Sequence, residues 1–331
     1  MNFPFNVYLA SLAGSFIVSL LALPVWRVIC LRLGLVDDPG HRKIHESPVP
    51  LAGGFAVLTG IAVPLLLGVA LVRWNSPYLL PSHAALDYGF YRRATELAAF
   101  FLGALVIVIV GALDDKYELR PLFKFSGQFA AAMLVACGGA RITLFVPSLV
   151  FSYVVTVLWI LTVINAFNFM DNMNGLCAGL GAVSSWFLAL ITMMDGQYLV
   201  AFLALLTAGA LLGFLPYNFP KATAFLGDTG SHLVGYLLAV MAILPHFYTA
   251  QHPRVWAVFT PLLILAVPLG DLAWVVLLRT RLGKPFYVGD TNHLSHRLVR
   301  RGLDKPFAVL CIWLLAVLCG GLSFLLLLGG R

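Results

Sequence analysis

Gly111-Ala-Leu-Asp-Asp-Lys-Tyr-Glu-Leu-Arg-Pro-Leu-Phe-Lys124 places two adjacent carboxylates, Asp114 and Asp115, between two strongly apolar segments. The run before it, from Thr95 to Leu113, is long enough at 1.5 Å per residue to cross hydrocarbon. Pro121 starts a second apolar run that reaches about Cys137. An acidic pair at a membrane surface, flanked by Lys116, Arg120 and Lys124, suits a divalent metal or a phosphorylated substrate. The competing reading is an ordinary polar turn between two spans.

Composition agrees with that setting. With 61% apolar residues, 11% charged residues and a mean hydropathy of +0.94, the chain reads as an all-α polytopic membrane protein and not as a soluble fold. The first apolar run lacks a preceding basic segment and a small-residue cleavage site, so it reads as a retained span. Cys30, Cys137, Cys177, Cys311 and Cys319 lie in or beside apolar runs with no metal-ligand spacing, and read as small hydrophobes. The net charge of +7 resides in short loops between spans, where anionic lipid and phosphate-bearing substrates are nearer partners than nucleic acid.

Apolar runs over 6–30, 51–73, 95–113, 122–137, 151–166, 176–194, 198–218, 229–244, 254–278 and 306–328 predict about ten transmembrane helices in a single membrane-embedded domain spanning 1–331. Loops then alternate between two sides. One side receives 31–50, 114–121, 167–175, 219–228 and 279–305, together with or beside all the lysines, Lys43, Lys116, Lys124, Lys221, Lys284 and Lys305. The positive-inside rule makes this side cytoplasmic and puts both termini on the other.

That alternation gathers the unusual polar segments on one face. The first loop, Asp37 to Gly54, offers Arg42, Lys43 and His45 to phosphate, with Gly53 and Gly54 admitting close backbone approach. In Asn165-Ala-Phe-Asn-Phe-Met-Asp171 three polar groups, Asn165, Asn168 and Asp171, recur every third residue and are expected to face one crevice. Asp228, in Phe225-Leu-Gly-Asp-Thr-Gly-Ser-His232, precedes a helix whose free N–H groups are expected to receive an anion; capping of that helix by Asp228 itself is the alternative. The last loop carries His293 and His296 among Arg279, Arg281, Lys284, Arg297, Arg300 and Arg301, as a phosphate or leaving-group contact or as a lipid-facing basic anchor. Asp271, inside the preceding span, either orients this loop or is a structural partner.

Asp228-Thr-Gly-Ser231 matches a short aspartic-protease signature, but it is single and sits before a membrane run instead of on a paired β scaffold. Neither a phosphate-binding Gly-rich Lys-Ser/Thr loop nor a dinucleotide fingerprint is present, so ATP hydrolysis and dinucleotide binding have no support.

Taken in order, Asp38-Pro39 to Gly53-Gly54, the Asp114-Asp115 loop, Asn165-x-x-Asn168-x-x-Asp171, Gly227-Asp228-x-Gly230 and Pro285-Phe286 to His293-x-x-His296 resemble the polyprenyl-phosphate N-acetylhexosamine-1-phosphate transferases over most of the chain. The resemblance implies transfer of a sugar-1-phosphate from UDP-N-acetylhexosamine, with N-acetylglucosamine the chosen sugar, to undecaprenyl phosphate. UMP would leave, magnesium would be required with manganese as its substitute, and the site would face the cytoplasm at the bacterial inner membrane. The linear-polymer branch, serving O antigen, enterobacterial common antigen or teichoic acid, looks nearer than the muramoyl-pentapeptide branch. A lipid-linked-sugar transporter is the reading from another class.

By the same resemblance Asp228 binds metal with Asp171 nearby, Asp114 and Asp115 organise the acceptor phosphate or assist its deprotonation, and His293 and His296 contact the donor. Arg42, Lys43, His45, Lys124, Asn165, Asn168 and Arg297 bind substrate, and the resemblance leaves room for a homodimer. Two segments depart from the family pattern. Asp171-Asn-Met-Asn-Gly175 stands where Asp-Gly-x-Asp-Gly is common, and His293-Leu-Ser-His296 where His-x-His-His is. Replacement of Ser295 by His is expected to be tolerated if the loop keeps a family-like shape.

Overall fold

The computed structural model describes residues 5–37, 48–73, 92–245, 247, 255–285 and 291–328. Twelve helices follow one another among them. They are α1 (Phe5–Leu33), α2 (Gly53–Arg73), α3 (Ala94–Tyr117), α4 (Pro121–Cys137), α5 (Leu149–Met170), α6 (Leu176–Met194), α7 (Tyr198–Asn218), α8 (Gly227–Met241), α9 (Thr260–Ile264), α10 (Ala266–Arg281), α11 (Leu294–Arg300) and α12 (Lys305–Leu328). Two short strands, β1 (Val36–Asp37) and β2 (Val49–Pro50), pair antiparallel between α1 and α2.

Each of the ten apolar runs contains helix, but not every helix has the dimensions of a span. Seven are long and apolar enough to cross a membrane, or eight if the segment 255–264 and α10, bent by 75° at their junction, count as one. The protein is therefore an all-α, multi-pass membrane protein, with seven to eight candidate spans among the described residues. α4, with 17 residues, and α8, with 15, fall short of the ~30 Å hydrocarbon thickness at 1.5 Å per residue. Hydropathy cannot distinguish such helices from spans, because a helix enclosed by other helices is as apolar as one in lipid.

α8 is enclosed in this way. Every residue in it except Asp228 is buried, and α2, α3, α5, α6 and α7 pack around it. Without water between helices, close packing of small residues and internal hydrogen bonds hold such a bundle together. The N–H groups of Gly53 and Gly54 donate to the carbonyls of Phe225 and Leu226 at 2.9 and 3.1 Å, tying the start of α2 to the start of α8. A Cβ on Gly54 would lie 2.5 Å from the Gly230 nitrogen. On the other flanks Tyr236 donates to the Phe100 carbonyl at 2.9 Å, and the Trp159 indole to the Ala239 carbonyl at 3.0 Å. α1 and α12 form the perimeter and expose rows of apolar side chains, Leu9, Ile17 and Leu21 on α1 and Leu314, Leu318 and Leu325 on α12.

Local sequence sets the helix ends near the future site. Pro121 occupies the first turn of α4, where its missing N–H costs nothing. At the end of α3, Glu118 is left-handed at φ 48° and its N–H reaches the Asp114 carbonyl, while the Leu119 N–H donates to Asp114 Oδ1 at 2.8 Å. Asp114 thus closes its own turn.

Gly54→Val is expected to destabilise the fold by more than about 2 kcal/mol, because backbone and not a movable side chain opposes the added atoms. A thermal-unfolding midpoint in detergent equal to that of the unaltered protein would contradict this packing.

Candidate active site

Successive helices run in opposite senses, so the ends of α1, α3 and α5 meet the starts of α2, α4 and α8 at one end of the bundle. There they enclose a cavity of about 610 Å³ lined by Asp37, Asp114, Asp115, Glu118, Lys124, Asn168, Asp171 and Asp228, with Val36, Leu51, Leu119 and Gly227. Charge at such density inside an apolar bundle must be compensated by partners or by a ligand.

Asp115 accounts for the position of α8. Its Oδ1 accepts the Asp228 N–H at 2.7 Å, and its Oδ2 accepts the Thr229 N–H at 3.0 Å and the Thr229 hydroxyl at 2.6 Å. A carboxylate from α3 therefore caps a helix more than a hundred residues later, where unpaired N–H groups and the helix dipole favour negative charge. Gly227, left-handed at φ 73°, brings the backbone against this carboxylate; a Cβ there would lie 2.7 Å from Asp115 Oδ2. This corrects both sequence expectations for the start of α8. The Asp228 and Thr229 N–H groups already serve Asp115, and Asp228 is not the cap.

The Asp228 side chain points instead into the cavity. Its Oδ1 accepts from Asn168 Nδ2 at 2.7 Å and its Oδ2 from Lys124 Nζ at 2.9 Å. Asn168 Nδ2 also reaches the Ser231 hydroxyl at 3.0 Å. The same ammonium contacts Asp114 Oδ2, so one lysine bridges two carboxylates. Asp171, just past the end of α5, has no hydrogen-bond donor for its carboxylate among the described residues. Burial, and then the charges of Asp228 and Asp115, push its pKa up to about 8.

Not every sequence-derived candidate joins this group. Asn168 and Asp171 do. Asn165 lies deeper, where its amide donates to Gln128 at 2.8 Å and to the Leu161 carbonyl; three-residue steps drift by about 60° per step around a helix, so the third group leaves the crevice. Gln128 also approaches His232, at 3.4 Å. This buried polar chain went unread in the sequence, although a glutamine within an apolar run was the available signal. Arg42, Lys43 and His45 lie outside the described residues.

His293 and His296 are not among the lining residues of the cavity. They stand on the adjoining side of the α5 terminus, with ring centroids 6.3 Å apart. Asp271 holds this segment by two 2.6 Å contacts, Oδ2 with His293 Nδ1 and Oδ1 with the Leu294 N–H, so it orients the loop as one sequence reading had it. Phe169 presents an edge-on contact to His293 and its face to the buried Arg279. Arg297 stacks over Trp274 at 4.6 Å. Burial first, then His293, Arg300 and Lys305, lower the His296 pKa, which favours the neutral ring. Asn172 was also overlooked. It sits between the two groups and accepts the Ser295 hydroxyl at 2.6 Å.

The carboxylates differ in what they hold, so neutralising each should have a different effect. Asp115→Asn replaces an acceptor with a donor facing N–H or hydroxyl groups, and should cost about 2 kcal/mol of stability. Asp171→Asn removes a carboxyl that burial and neighbouring negative charge make costly to ionise, and should leave the unfolding midpoint unchanged or raised. Thermal unfolding of both variants in detergent checks the pair, and equal losses would contradict the distinction.

Comparison with known proteins agrees with this geometry. The model described as "Glycosyl transferase family 4" matches residues 97–246, the interval containing all the helix ends that carry Asp114, Asp115, Asp171 and Asp228. The probable undecaprenyl-phosphate N-acetylglucosaminyl 1-phosphate transferase of Bacillus subtilis is 32% identical over 313 residues, covering 91% of this chain and 81% of that protein. The decaprenyl-phosphate N-acetylglucosaminephosphotransferase of Mycobacterium tuberculosis is 34% identical over 316 residues, covering 87% and 74%. The undecaprenyl-phosphate alpha-N-acetylglucosaminyl 1-phosphate transferase of Escherichia coli is 28% identical, covering 95% and 82%. A buried carboxylate cavity at the end of a membrane bundle and relatives aligned across nearly its whole length together identify this chain as a member of glycosyl transferase family 4, among the polyprenyl-phosphate N-acetylhexosamine-1-phosphate transferases.

Proposed function

We propose that this protein transfers N-acetylhexosamine-1-phosphate from a UDP-sugar to undecaprenyl phosphate at the cavity bounded by Asp114, Asp171 and Asp228. The observation that carries the reading is the convergence of these carboxylates with Lys124 and Asn168 at one end of an apolar bundle. A transporter would instead need polar groups continuing toward the other end. N-acetylglucosamine is the proposed sugar, in keeping with the names of the relatives. The cavity end is proposed to face the cytoplasm at the bacterial inner membrane, since Lys116, Lys124, Lys221, Lys284 and Lys305 all fall in or beside the loops of that side. On that alternation the short helices complete about ten membrane passages within one domain, residues 1–331.

In the reaction an oxygen of the acceptor phosphate forms a bond to the β-phosphorus of the nucleotide sugar. The bond from that phosphorus to the bridging oxygen breaks, and UMP leaves with the electron pair. A phosphate monoester is largely ionised near neutral pH, so placement matters more than proton removal. Lys124, released in part from Asp114 and Asp228, offers a cation to an entering phosphate. Asn168 keeps Asp228 aimed into the cavity, and Asp115 holds the backbone that carries it. His293, set by Asp271, and His296 stand beside the α5 terminus to meet donor phosphate, with Arg297 and, from the first loop, Arg42, Lys43 and His45 supplying positive charge.

The donor set suits magnesium. Among the described residues there is no group of three or more His, Cys, Asp or Glu that could hold a metal ion by protein ligands alone. Magnesium is commonly held by one or two carboxylates plus substrate phosphates, and Asp171 and Asp228 offer hard oxygens of that kind, the former without a protein donor among the described residues. Bound there, the ion would neutralise charge developing on the phosphates. Manganese would replace it.

Purified protein given magnesium, undecaprenyl phosphate and a panel of UDP-sugars should yield UMP and a lipid-linked sugar phosphate identifiable by mass. Asp228→Asn should reduce turnover more than about 100-fold, and His293→Ala at least about tenfold, or ~1.4 kcal/mol of transition-state stabilisation, with folding retained. Product from no N-acetylhexosamine donor would reject the transferase reading. Sidedness has its own measurement. Single cysteines at Glu118 and Arg300, in a background lacking the five native ones, should both be labelled only from the cytoplasmic face, and opposite labelling would defeat the one-face arrangement.

A further inference from the structure

The two segments in which this chain departs from the pattern it resembles touch each other. Asn172 stands where glycine is common and Ser295 where histidine is, 123 positions apart in sequence, and the serine hydroxyl donates to Asn172 Oδ1 at 2.6 Å. The amide cannot turn freely, since its Nδ2 donates to the Phe169 carbonyl at 2.6 Å and so presents the oxygen to Ser295. Ser295 is fully buried, whereas His296 beside it is half-buried. A linear chain of hydrogen bonds therefore runs from the last turn of α5, through Asn172, into the first turn of α11. It lies one residue from Asp171 on one side and two from His293 on the other.

We propose that Asn172 and Ser295 form a latch that fixes the His293–His296 segment against the carboxylate cavity, acting as positioning residues and setting where the donor phosphates meet the histidines. The inference rests on the transferase reading for its effect on turnover, but not for its effect on the loop. Asp271 anchors the segment at His293 and Leu294, and Arg297 of the same helix stacks over Trp274. Ser295 adds, between those points, the hydrogen bond that ties the helix to the segment carrying Asp171. On this proposal Ser295→His alone is poorly accommodated, since the larger ring has to displace Asn172 in a buried site. With Asn172→Gly the ring gains the space that the carboxamide leaves.

The test combines steady-state kinetics with amide hydrogen exchange. Ser295→Ala should lower kcat about tenfold, with KM for the UDP-sugar changed less than about twofold and the unfolding midpoint unchanged. Ser295→His should lose about fiftyfold or more, and Asn172→Gly with Ser295→His should return to within about fivefold of the unaltered protein, a coupling that independent sites do not show. Exchange across 291–300 should accelerate in Ser295→Ala while that of α8 stays unchanged. Full activity in Ser295→Ala, or a paired variant no better than Ser295→His, would overturn the latch. If the unaltered protein makes no product, the transferase reading fails, and exchange alone decides the latch: acceleration across 291–300 supports it and unchanged exchange overturns it.

Discussion

The Asp115 carboxylate at the start of α8 is the interaction on which the site depends. α8 is enclosed by five other helices, and its N-terminus would otherwise leave N–H groups unpaired at the wall of the cavity. One side chain from α3 satisfies two of them and a hydroxyl as well. The bond joins the two helices that carry Asp114 and Asp228, so the structural carboxylate fixes the separation of its neighbours. Adjacent aspartates thus divide the work. Asp115 is occupied by backbone, while Asp114 and Asp228 share Lys124 and keep acceptor capacity for a ligand.

Electrostatic compensation in the cavity is incomplete. Lys124 answers Asp114 and Asp228, and backbone N–H groups answer Asp115, but among the described residues Asp171 meets only burial and neighbouring negative charge. A carboxyl group kept in that state costs stability, and its cost is recovered when a cation arrives. The histidine segment follows another logic. It is held mainly by hydrogen bonds and ring contacts, from Asp271, Asn172 and Phe169, which fix direction more than they supply charge.

Much of this was legible from sequence because lipid forces polar residues to declare themselves. Asp114, Asp115, Asn168, Asp171 and Asp228 each interrupt an apolar run, and helix alternation was enough to put them at one end. Direction was not legible. Nothing in Gly227-Asp228-Thr229 says that the backbone N–H groups are taken by a carboxylate from α3, or that the Asp228 side chain turns away from its own helix start. Span length was legible only in part. α4 and α8 carry the composition of spans without their length; α8 is enclosed by other helices, whereas α4 exposes Leu122, Phe123 and Phe129. Pairs such as Asn165–Gln128 and Asn172–Ser295 join distant positions, and spacing along the chain carries no trace of them.

The cavity is lined by the last turn of α3 and the first turn of α8 together with β1, Leu51 and the chain just past the ends of α3 and α5, so its carboxylates sit where the apolar helices end. An acceptor with a long isoprenoid tail pays about 0.8 kcal/mol for each methylene-sized unit drawn out of the membrane. On the proposed function, carboxylates at the helix ends would let such a molecule bring its headgroup to the cavity while the tail stays in hydrocarbon. The soluble nucleotide sugar would then be the substrate that travels.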